Sequence, residues 1–272
     1  MGAVNRGNRL ARIGATAVAA AAVAAACTAT AASSASAATS GPAKATTALA
    51  AKTVSARSAT PAGYVPPKGT LAEGSSGAAV KALQRRLAAL KYDPGSTDGH
   101  FGANTEDAIW AFQEINHVKV TGVVDAATAR RLELPKAYKS PSYSGKRATR
   151  IEVSQHLEVL VLFDNNQIAL ISHVSSGGGY YYNGDSRAVT PNGTYNTTVY
   201  IPGWVQVPLG EMYNPVFFIG TEFAIHGDTY VPVGPASHGC VRVPMDIAAF
   251  FHTLVKTPGT QVHVYGTPQW EN

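Results

Sequence analysis

The chain has 272 residues, of which 45% are hydrophobic and 14% charged, a composition that excludes a coiled coil or a highly charged disordered protein. The length suits one large domain or two modest ones. Residues 1–68 hold seven of the 22 basic side chains and no acidic one, which leaves 15 basic against 17 acidic side chains in residues 69–272. This part carries a net charge of −2, so no nucleic acid partner is expected.

Residues 1–38 have the parts of an export signal. Three arginines precede a short apolar segment at 13–26, and Ala35-Ser36-Ala37 matches an A-x-A cleavage site. Cys27, at the end of the apolar segment, leaves open a lipid-modified cysteine, although the usual leucine three residues earlier is missing. The protein is expected to be secreted to the cell exterior, with a membrane contact only through the signal or such a lipid anchor.

Residues 39–68 are rich in Ala, Thr, Ser, Pro and Lys and have no hydrophobic period, which predicts a disordered spacer. If the signal is cleaved after Ala37, Cys240 is left as the one cysteine of the mature chain, without a disulfide partner. An unpaired thiol outside the cell is exposed to oxidation, and a catalytic role would explain its presence.

Residues 69–135 are predicted to form a small all-α domain. Apolar residues at helical spacing indicate one helix that ends before Asp93, a second through 108–115 and a third at about 125–132. The segments 99–105 and 122–128 both match G-x-[FV]-x-x-x-T, a turn followed by a helix start, which indicates an internal repeat. Trp110 and Tyr92 are expected to pack inside this domain.

This domain resembles, over residues 70–134, the three-helix peptidoglycan-binding module of cell-wall enzymes. The resemblance is carried by the two repeated turns together with Gln84, Asp98 and the Ala111-Phe112-Gln113 run. It implies binding to wall glycopeptide, and a helical spacer that binds nothing is the alternative. Residues 136–149 form a basic linker, whose serines, proline and basic side chains predict a solvated hinge.

Residues 150–266 are predicted to form a mainly β domain, a sandwich or barrel with one helix at 245–255, and residues 267–272 are a tail. Apolar residues recur every second position from Ile151 through Val174 in three strands. Further β-type runs lie at 194–201, 216–220, 223–226 and 261–265.

Chemically active residues are concentrated in His226-Gly227-Asp228 and in the run from Ser237 to Arg242. A thiol has a pKa of about 8.5, so a nucleophilic Cys240 needs a base or a cationic neighbour, and either His226 or His238 is placed to reach it. Three alternatives fit the sequence less well. A buried inert cysteine is not expected in a Gly-flanked, polar loop, and a zinc site lacks a fourth ligand. A papain-type protease has its histidine after the cysteine, whereas both histidines here precede it. No metal or cofactor is expected.

These motifs resemble the L,D-transpeptidase (YkuD-type) catalytic domain over residues 150–266. The family pattern H-G…S-H-G-C-x-R stands here at 226–227 and 237–242, T-P-x-G-x-Y stands at 190–195, and Ser175-Ser176-Gly177 fits the turn after a strand. The segment between Gly227 and Ser237 is short and Tyr180-Tyr181-Tyr182 is an insertion, so the cleft is expected to differ from the family's.

The resemblance implies a role for each residue of the site. Cys240 is the nucleophile, His226 the general base, and the Gly227 carbonyl orients that base. His238 shapes the site or stabilises charge, and the Gly239 and Cys240 N–H groups hold the oxyanion. The thiolate is acylated by the third residue of a tetrapeptide stem, terminal D-Ala leaves, and a neighbouring stem's side-chain amine forms a 3→3 cross-link. Carbapenem β-lactams are implied inhibitors that acylate Cys240.

Substrate binding is assigned to four residues, Arg242, Ser237, Arg187 and Tyr195. Residues 151–272 contain three basic side chains against nine acidic ones, and two of the three, Arg187 and Arg242, lie beside the motifs. A planar guanidinium suits the carboxylates of a stem peptide, although an ordinary surface ion pair is equally consistent for Arg187. Two other functions stay open: an L,D-carboxypeptidase that transfers the acyl group to water, and a non-catalytic peptidoglycan-binding protein.

Overall fold

The computed structural model describes residues 64–271, and the predicted export signal, Cys27 and nearly all of the spacer lie outside the described residues. The helices of this part are α1 Ala78–Ala89, α2 Ala103–Asn116, α3 Ala126–Glu133 and α4 Met245–Leu254. The strands are β1 Arg150–Ser154, β2 Val159–Asp164, β3 Gln167–His173, β4 Tyr181–Tyr182, β5 Ser186–Arg187, β6 Gly193–Asn196, β7 Trp204–Val207, β8 Gly210–Ile219, β9 Phe223–Gly227, β10 Val241–Val243 and β11 Gln261–Tyr265. None of the helices within 64–271 is long and apolar enough to cross a membrane.

A helical module followed by a mainly β domain is confirmed as the fold class. The three module helices share one apolar core, to which Leu83, Ile109 and Leu132 contribute fully buried side chains. The Asp125 carboxylate accepts a hydrogen bond from the Thr128 N–H at 2.8 Å and so caps the start of α3. Tyr92 is buried edge-on against a phenylalanine of this core, in agreement with its expected packing role.

Each repeated turn of the module is held by a buried glutamine from the preceding helix. The Gln113 carbonyl oxygen accepts from the Thr121 and Gly122 N–H groups, and its amide donates to the Val123 carbonyl and the Thr128 hydroxyl, all at 2.8–3.0 Å. Gln84 holds the first turn in the same way. The repeat in the sequence is therefore a repeat of glutamine-bound turns.

We expect Gln113→Leu to lower the free energy of unfolding by about 2–4 kcal/mol, because it leaves the Thr121 and Gly122 N–H groups and the Val123 carbonyl without their side-chain partner in a partly buried turn. Chemical denaturation of the full chain measures this difference. Lys119→Ala, at an exposed position in the loop after α2, is the control and should stay within about 0.5 kcal/mol of the parent. Equal stability of Gln113→Leu and the parent would show that the glutamine does not hold the turn.

The β domain is a sandwich of two sheets around one core. A five-stranded sheet has the order β3-β2-β1-β11-β6, and a four-stranded sheet has the order β10-β9-β8-β7. The pairs β1–β11 and β9–β10 are parallel, and the other pairs are antiparallel. Apolar side chains from both sheets and from α4 fill the space between them, including Leu160, Phe218, Ile225 and Phe251.

The helical module covers the other face of the five-stranded sheet. Val159, Val161 and Phe163 of β2 and Ile171 of β3 belong to the same apolar cluster as the module helices, and the Ile171 N–H donates to the Lys91 carbonyl at 2.7 Å. Every residue of β1 and five of the six in β2 are therefore buried. A strand buried on both faces does not alternate in exposure, and β2 is accordingly apolar at each of its first five positions, whereas β1 keeps polar residues between its apolar ones.

The basic linker at 136–149 has neither helix nor strand, and several of its side chains are bound to the β domain. The Tyr138 hydroxyl lies 3.0 Å from a Glu152 carboxylate oxygen, and the Tyr143 ring stacks on His263 at 3.7 Å between centroids. The buried Glu152 also pairs with Arg150 at 2.6 Å. The solvated hinge predicted from composition is therefore not what the structure shows, because aromatic and charged side chains of this segment have partners far along the chain.

Candidate active site

The β9–β10 pair brings the two predicted motifs together on one face of the four-stranded sheet. The parallel register places Val241 opposite Ile225 and Arg242 opposite His226. Because side chains alternate along a strand, Ile225 and Val241 point into the core of the sandwich. His226, Cys240 and Arg242 therefore face away from that core, on the same side.

A cleft of about 390 Å³ lies over this face. Apolar side chains from the β7–β8 hairpin form one part of its lining, and Tyr182 and His238 form another. The lining residues are Tyr182, Val207, Pro208, Leu209, Met212, Thr221, Glu222, Phe223, His226, His238, Cys240 and Arg242. A thiol, two imidazoles and a guanidinium thus converge in a largely apolar cleft, which is the usual composition of a ligand site.

His226 is held in one tautomer. The residue is 4% exposed, and its Nδ1 lies 2.9 Å from the Gly227 carbonyl oxygen. A carbonyl only accepts, so Nδ1 carries the hydrogen and Nε2 keeps a free lone pair in the neutral ring. Burial lowers the pKa of His226 below its ordinary value, although the Gly227 carbonyl acts in the other direction. The ring is therefore neutral near pH 7 and able to accept a proton at Nε2.

Cys240 is half-buried and carries a neutral thiol. Burial raises the pKa of this thiol, and a backbone hydrogen bond from Ala224 and the charge of Arg242 only reduce that effect. The Sγ atom lies 3.8 Å from the Glu222 carbonyl oxygen, which can accept the S–H hydrogen. Since the thiolate is not the resting form, any nucleophilic chemistry at Cys240 needs a base in the cleft.

The loop from Ser237 to Cys240 is fixed by its own hydrogen bonds. The Gly239 N–H donates to the Ser237 hydroxyl oxygen at 3.0 Å, and that hydroxyl donates to the Cys240 carbonyl at 2.5 Å. Gly239 has φ +136°, and a Cβ there would lie 2.7 Å from the Val189 carbonyl oxygen, so no other residue fits. Ser237, expected to bind substrate, is 1% exposed and holds the loop instead of lining the cleft.

Thr190 of the T-P-x-G-x-Y motif also holds this loop. Its hydroxyl donates to the Gly239 carbonyl at 2.8 Å and accepts from the Gly177 N–H at 2.9 Å. Tyr195 of the same motif is bound to the Pro191 and Asn192 carbonyls and is not among the cleft-lining residues. The motif is visible in the sequence, but this role of Thr190 is not, since its two partners lie 13 and 49 residues away.

The tyrosine insertion forms part of the cleft around His238. Tyr180 and Tyr182 lie edge-on to the His238 ring, at 5.4 and 4.8 Å between centroids. Burial and the charge of Arg242 both lower the pKa of His238. In the sequence the insertion is only a departure from the family pattern, whereas in the structure two of its tyrosines pack against His238.

The two arginines assigned to substrate binding have different surroundings. Arg242 lines the cleft, and its Nε lies 3.1 Å from an Asp228 carboxylate oxygen in a partly exposed ion pair. Arg187 is exposed, stacks over Trp270 at 4.2 Å and donates from Nε to the Gly179 carbonyl. Within residues 64–271, Arg187 forms no ion pair and is not among the residues that line the cleft.

Comparison with known proteins agrees with this architecture. The chain matches the family model of the L,D-transpeptidase catalytic domain (YkuD) over residues 148–264 and that of a putative peptidoglycan binding domain over residues 76–132. The crystal structure of an L,D-transpeptidase (residues 123–326) from Xylanimonas cellulosilytica is 31% identical, with a TM-score of 0.66, over 74% of this chain and 100% of that chain.

Two more distant similarities were found. The crystal structure of an L,D-transpeptidase from Stackebrandtia nassauensis is 20% identical, with a TM-score of 0.44, over 75% of this chain and 98% of that chain. The carboxy-terminal processing protease CtpB of Bacillus subtilis is 43% identical over 53 residues, which are 20% of this chain and 11% of that protein.

The fold and the two matched domains define a cell-wall protein in which a peptidoglycan-binding module precedes a YkuD domain. The chain belongs to the L,D-transpeptidase family, as the sequence resemblance indicated.

Proposed function

We propose that the protein is an extracytoplasmic L,D-transpeptidase that forms 3→3 cross-links in peptidoglycan. The observation that carries the proposal is that Cys240 and the buried His226 line the same cleft, with a His226 tautomer that leaves Nε2 free to accept a proton. The helical module would hold the enzyme on wall glycopeptide, and the predicted export signal would deliver it there. The proposed chemistry uses no metal and no cofactor.

The proposed reaction has two acyl-transfer steps. His226 Nε2 accepts the thiol proton while Sγ attacks the carbonyl carbon of the third stem residue, and that proton passes to the departing amine of D-Ala. The resulting thioester is then attacked by the side-chain amine of a neighbouring stem. Sγ leaves, the amine loses a proton, and the free thiol is restored.

The oxyanion of each step is assigned to the Gly239 and Cys240 N–H groups, with His238 beside them. In the unliganded loop the Gly239 N–H donates to the Ser237 hydroxyl at 3.0 Å. Substrate binding must therefore replace this acceptor with the substrate oxygen, or the oxyanion rests on Cys240 alone. A hydroxyl is a weaker acceptor than an oxyanion, so the exchange is favourable in the transition state.

Product analysis tests the proposal. Mature protein is incubated with a purified disaccharide-tetrapeptide, and the products are analysed by mass spectrometry. A dimer that has lost one D-Ala is the expected product. A monomeric tripeptide alone would instead assign an L,D-carboxypeptidase, and the absence of any product or β-lactam adduct would assign a non-catalytic wall-binding protein.

Arg242 is proposed to bind a stem-peptide carboxylate. Arg242→Ala is therefore expected to raise KM by about tenfold with a smaller effect on kcat, because the variant loses one charge-assisted hydrogen bond to the substrate. Kinetics with the disaccharide-tetrapeptide measure the change. Asp228→Asn is the matched control, since it removes the ion pair and leaves the guanidinium in the cleft. Equal losses in the two variants, or no loss in Arg242→Ala, would remove Arg242 from substrate binding.

A further inference from the structure

Glu158 is a buried carboxyl group with no part in the chemistry described so far. It lies in the turn between β1 and β2, is 0% exposed and adopts φ +46°. Both of its carboxyl oxygens are hydrogen-bonded to one residue, Ser176. The Ser176 N–H lies 2.6 Å from Oε2, and the Ser176 hydroxyl lies 2.6 Å from Oε1. Glu158 therefore fixes Ser176 at two atoms.

Ser176 in turn holds the loop that carries the nucleophile. The Ser176 carbonyl accepts from the N–H groups of Ala236 and Ser237, both at 2.9 Å. The Ser237 hydroxyl then binds the Gly239 N–H and the Cys240 carbonyl. Hydrogen bonds thus run without a break from Glu158, through Ser176 and Ser237, to the backbone of Cys240.

The chain of contacts is shielded from water. Ser176 is 0% exposed and Ser237 is 1% exposed, so bulk water cannot replace a lost hydrogen-bond partner of either residue. Burial is the main cause that raises the pKa of Glu158 to about 8, and the nearby Glu114 of α2 raises it further. A protonated carboxyl still accepts the Ser176 N–H with one oxygen and donates to the Ser176 hydroxyl with the other, so both forms keep both contacts.

We propose that Glu158 is a positioning residue for acylation, which sets the Ser237–Cys240 loop through Ser176. The proposal rests on the proposed function, because the step it supports is acylation of Cys240. What it requires of residue 158 is two hydrogen-bonding atoms and not a negative charge. Glu158→Gln, whose amide offers one acceptor and one donor, should therefore keep the loop in place, whereas Glu158→Met should not.

The experiment compares these two variants in the full mature chain. Amide hydrogen exchange at Ser237 and Gly239 reports the loop directly, whether or not the protein is an enzyme. Acylation of Cys240 by a carbapenem, followed by intact-protein mass spectrometry, reports the reaction. Gln113→Leu, which weakens the helical module away from the loop, is the control for a general loss of stability.

Glu158→Met is expected to speed exchange at both amides and to slow acylation, each at least tenfold. In Glu158→Gln both rates should stay within threefold of wild type, and Gln113→Leu should be acylated at the wild-type rate. Wild-type exchange and acylation in Glu158→Met would overturn the proposal. So would a Glu158→Gln variant as slow as Glu158→Met, or equal slowing in Gln113→Leu.

Two further outcomes are separated by the design. If Glu158→Met does not fold, Ser176→Ala takes its place, since it removes only the hydroxyl contact with Glu158. Faster exchange at Ser237 and Gly239 together with severalfold slower acylation would support the proposal. Exchange and acylation rates equal to those of wild type would overturn it. If wild-type protein is never acylated, the proposed function fails. The exchange rates then still decide whether Glu158 holds the loop.

Discussion

Replacing Cys240 with alanine is expected to abolish both the cross-linked dimer and any carbapenem adduct. In the proposed reaction the thiol sulfur forms the only covalent bond between protein and substrate, and no second thiol lies in the mature chain if the signal is cleaved as predicted. Loss of such a nucleophile lowers turnover by more than about 10³-fold, below the detection limit of product analysis. Intact-protein mass spectrometry and product analysis measure the two effects.

The stability of Cys240→Ala must be measured alongside, to show that the variant is folded. Cys240 is half-buried beside Met212 and Phe217, so Cys240→Ala removes one sulfur atom from a small apolar cluster and should cost no more than about 1–2 kcal/mol. A folded Cys240→Ala variant that still forms dimer, or still gains the mass of the carbapenem, would contradict the assignment of Cys240 as the nucleophile.

His226→Ala is expected to slow acylation by about 10²–10⁴-fold, the usual contribution of a general base, and His238→Ala by about tenfold or less. The difference follows from their surroundings. His226 is buried with Nδ1 donated to a carbonyl, which directs Nε2 as an acceptor, whereas His238 packs against Tyr180 and Tyr182 with no such fixed tautomer. Single-turnover acylation by a carbapenem measures both variants.

The pH profile supplies the control for His226. The base must be neutral to accept a proton, and burial lowers the pKa of His226 below its usual value of about 6.5. The wild-type rate should therefore hold at pH 6.5 and fall only below it, as the ring becomes protonated. In His226→Ala this acid limb should vanish, and the rate should rise with pH towards the raised pKa of Cys240.

A larger loss in His238→Ala than in His226→Ala would exchange the two roles. An unchanged acid limb in His226→Ala would likewise remove His226 as the base, because the group that titrates there would still be present. Either result would leave Cys240 as the nucleophile, since its assignment is tested separately.

Local pattern was sufficient for most elements of the fold. The helical period predicted α1, α2 and α3, and the helix expected at 245–255 is α4. The β-type runs predicted β1, β2, β3, β9 and β11 close to their observed bounds. They missed β7, β10, the short pair β4–β5 and the first half of β8, which contain few consecutive alternations. The run at 194–201 was predicted as one strand, but only Gly193–Asn196 pairs with β11, since the chain after Asn196 leaves the sheet.

The order of the two domains, the family and the run of motifs around Cys240 can be read from the sequence, because each depends on residues close together in the chain. Three features are visible only in the folded chain: the module covers the second face of the sheet, the Ser237 hydroxyl binds the loop, and Thr190 and Glu158 support that loop from other segments. The side-chain hydrogen bonds of Ser237, Glu158 and Thr190 join residues 3, 18 and 49 positions apart, and the Ile171–Lys91 backbone contact between sheet and module spans 80 positions. Their direction depends on backbone conformation and burial, which periodicity does not record.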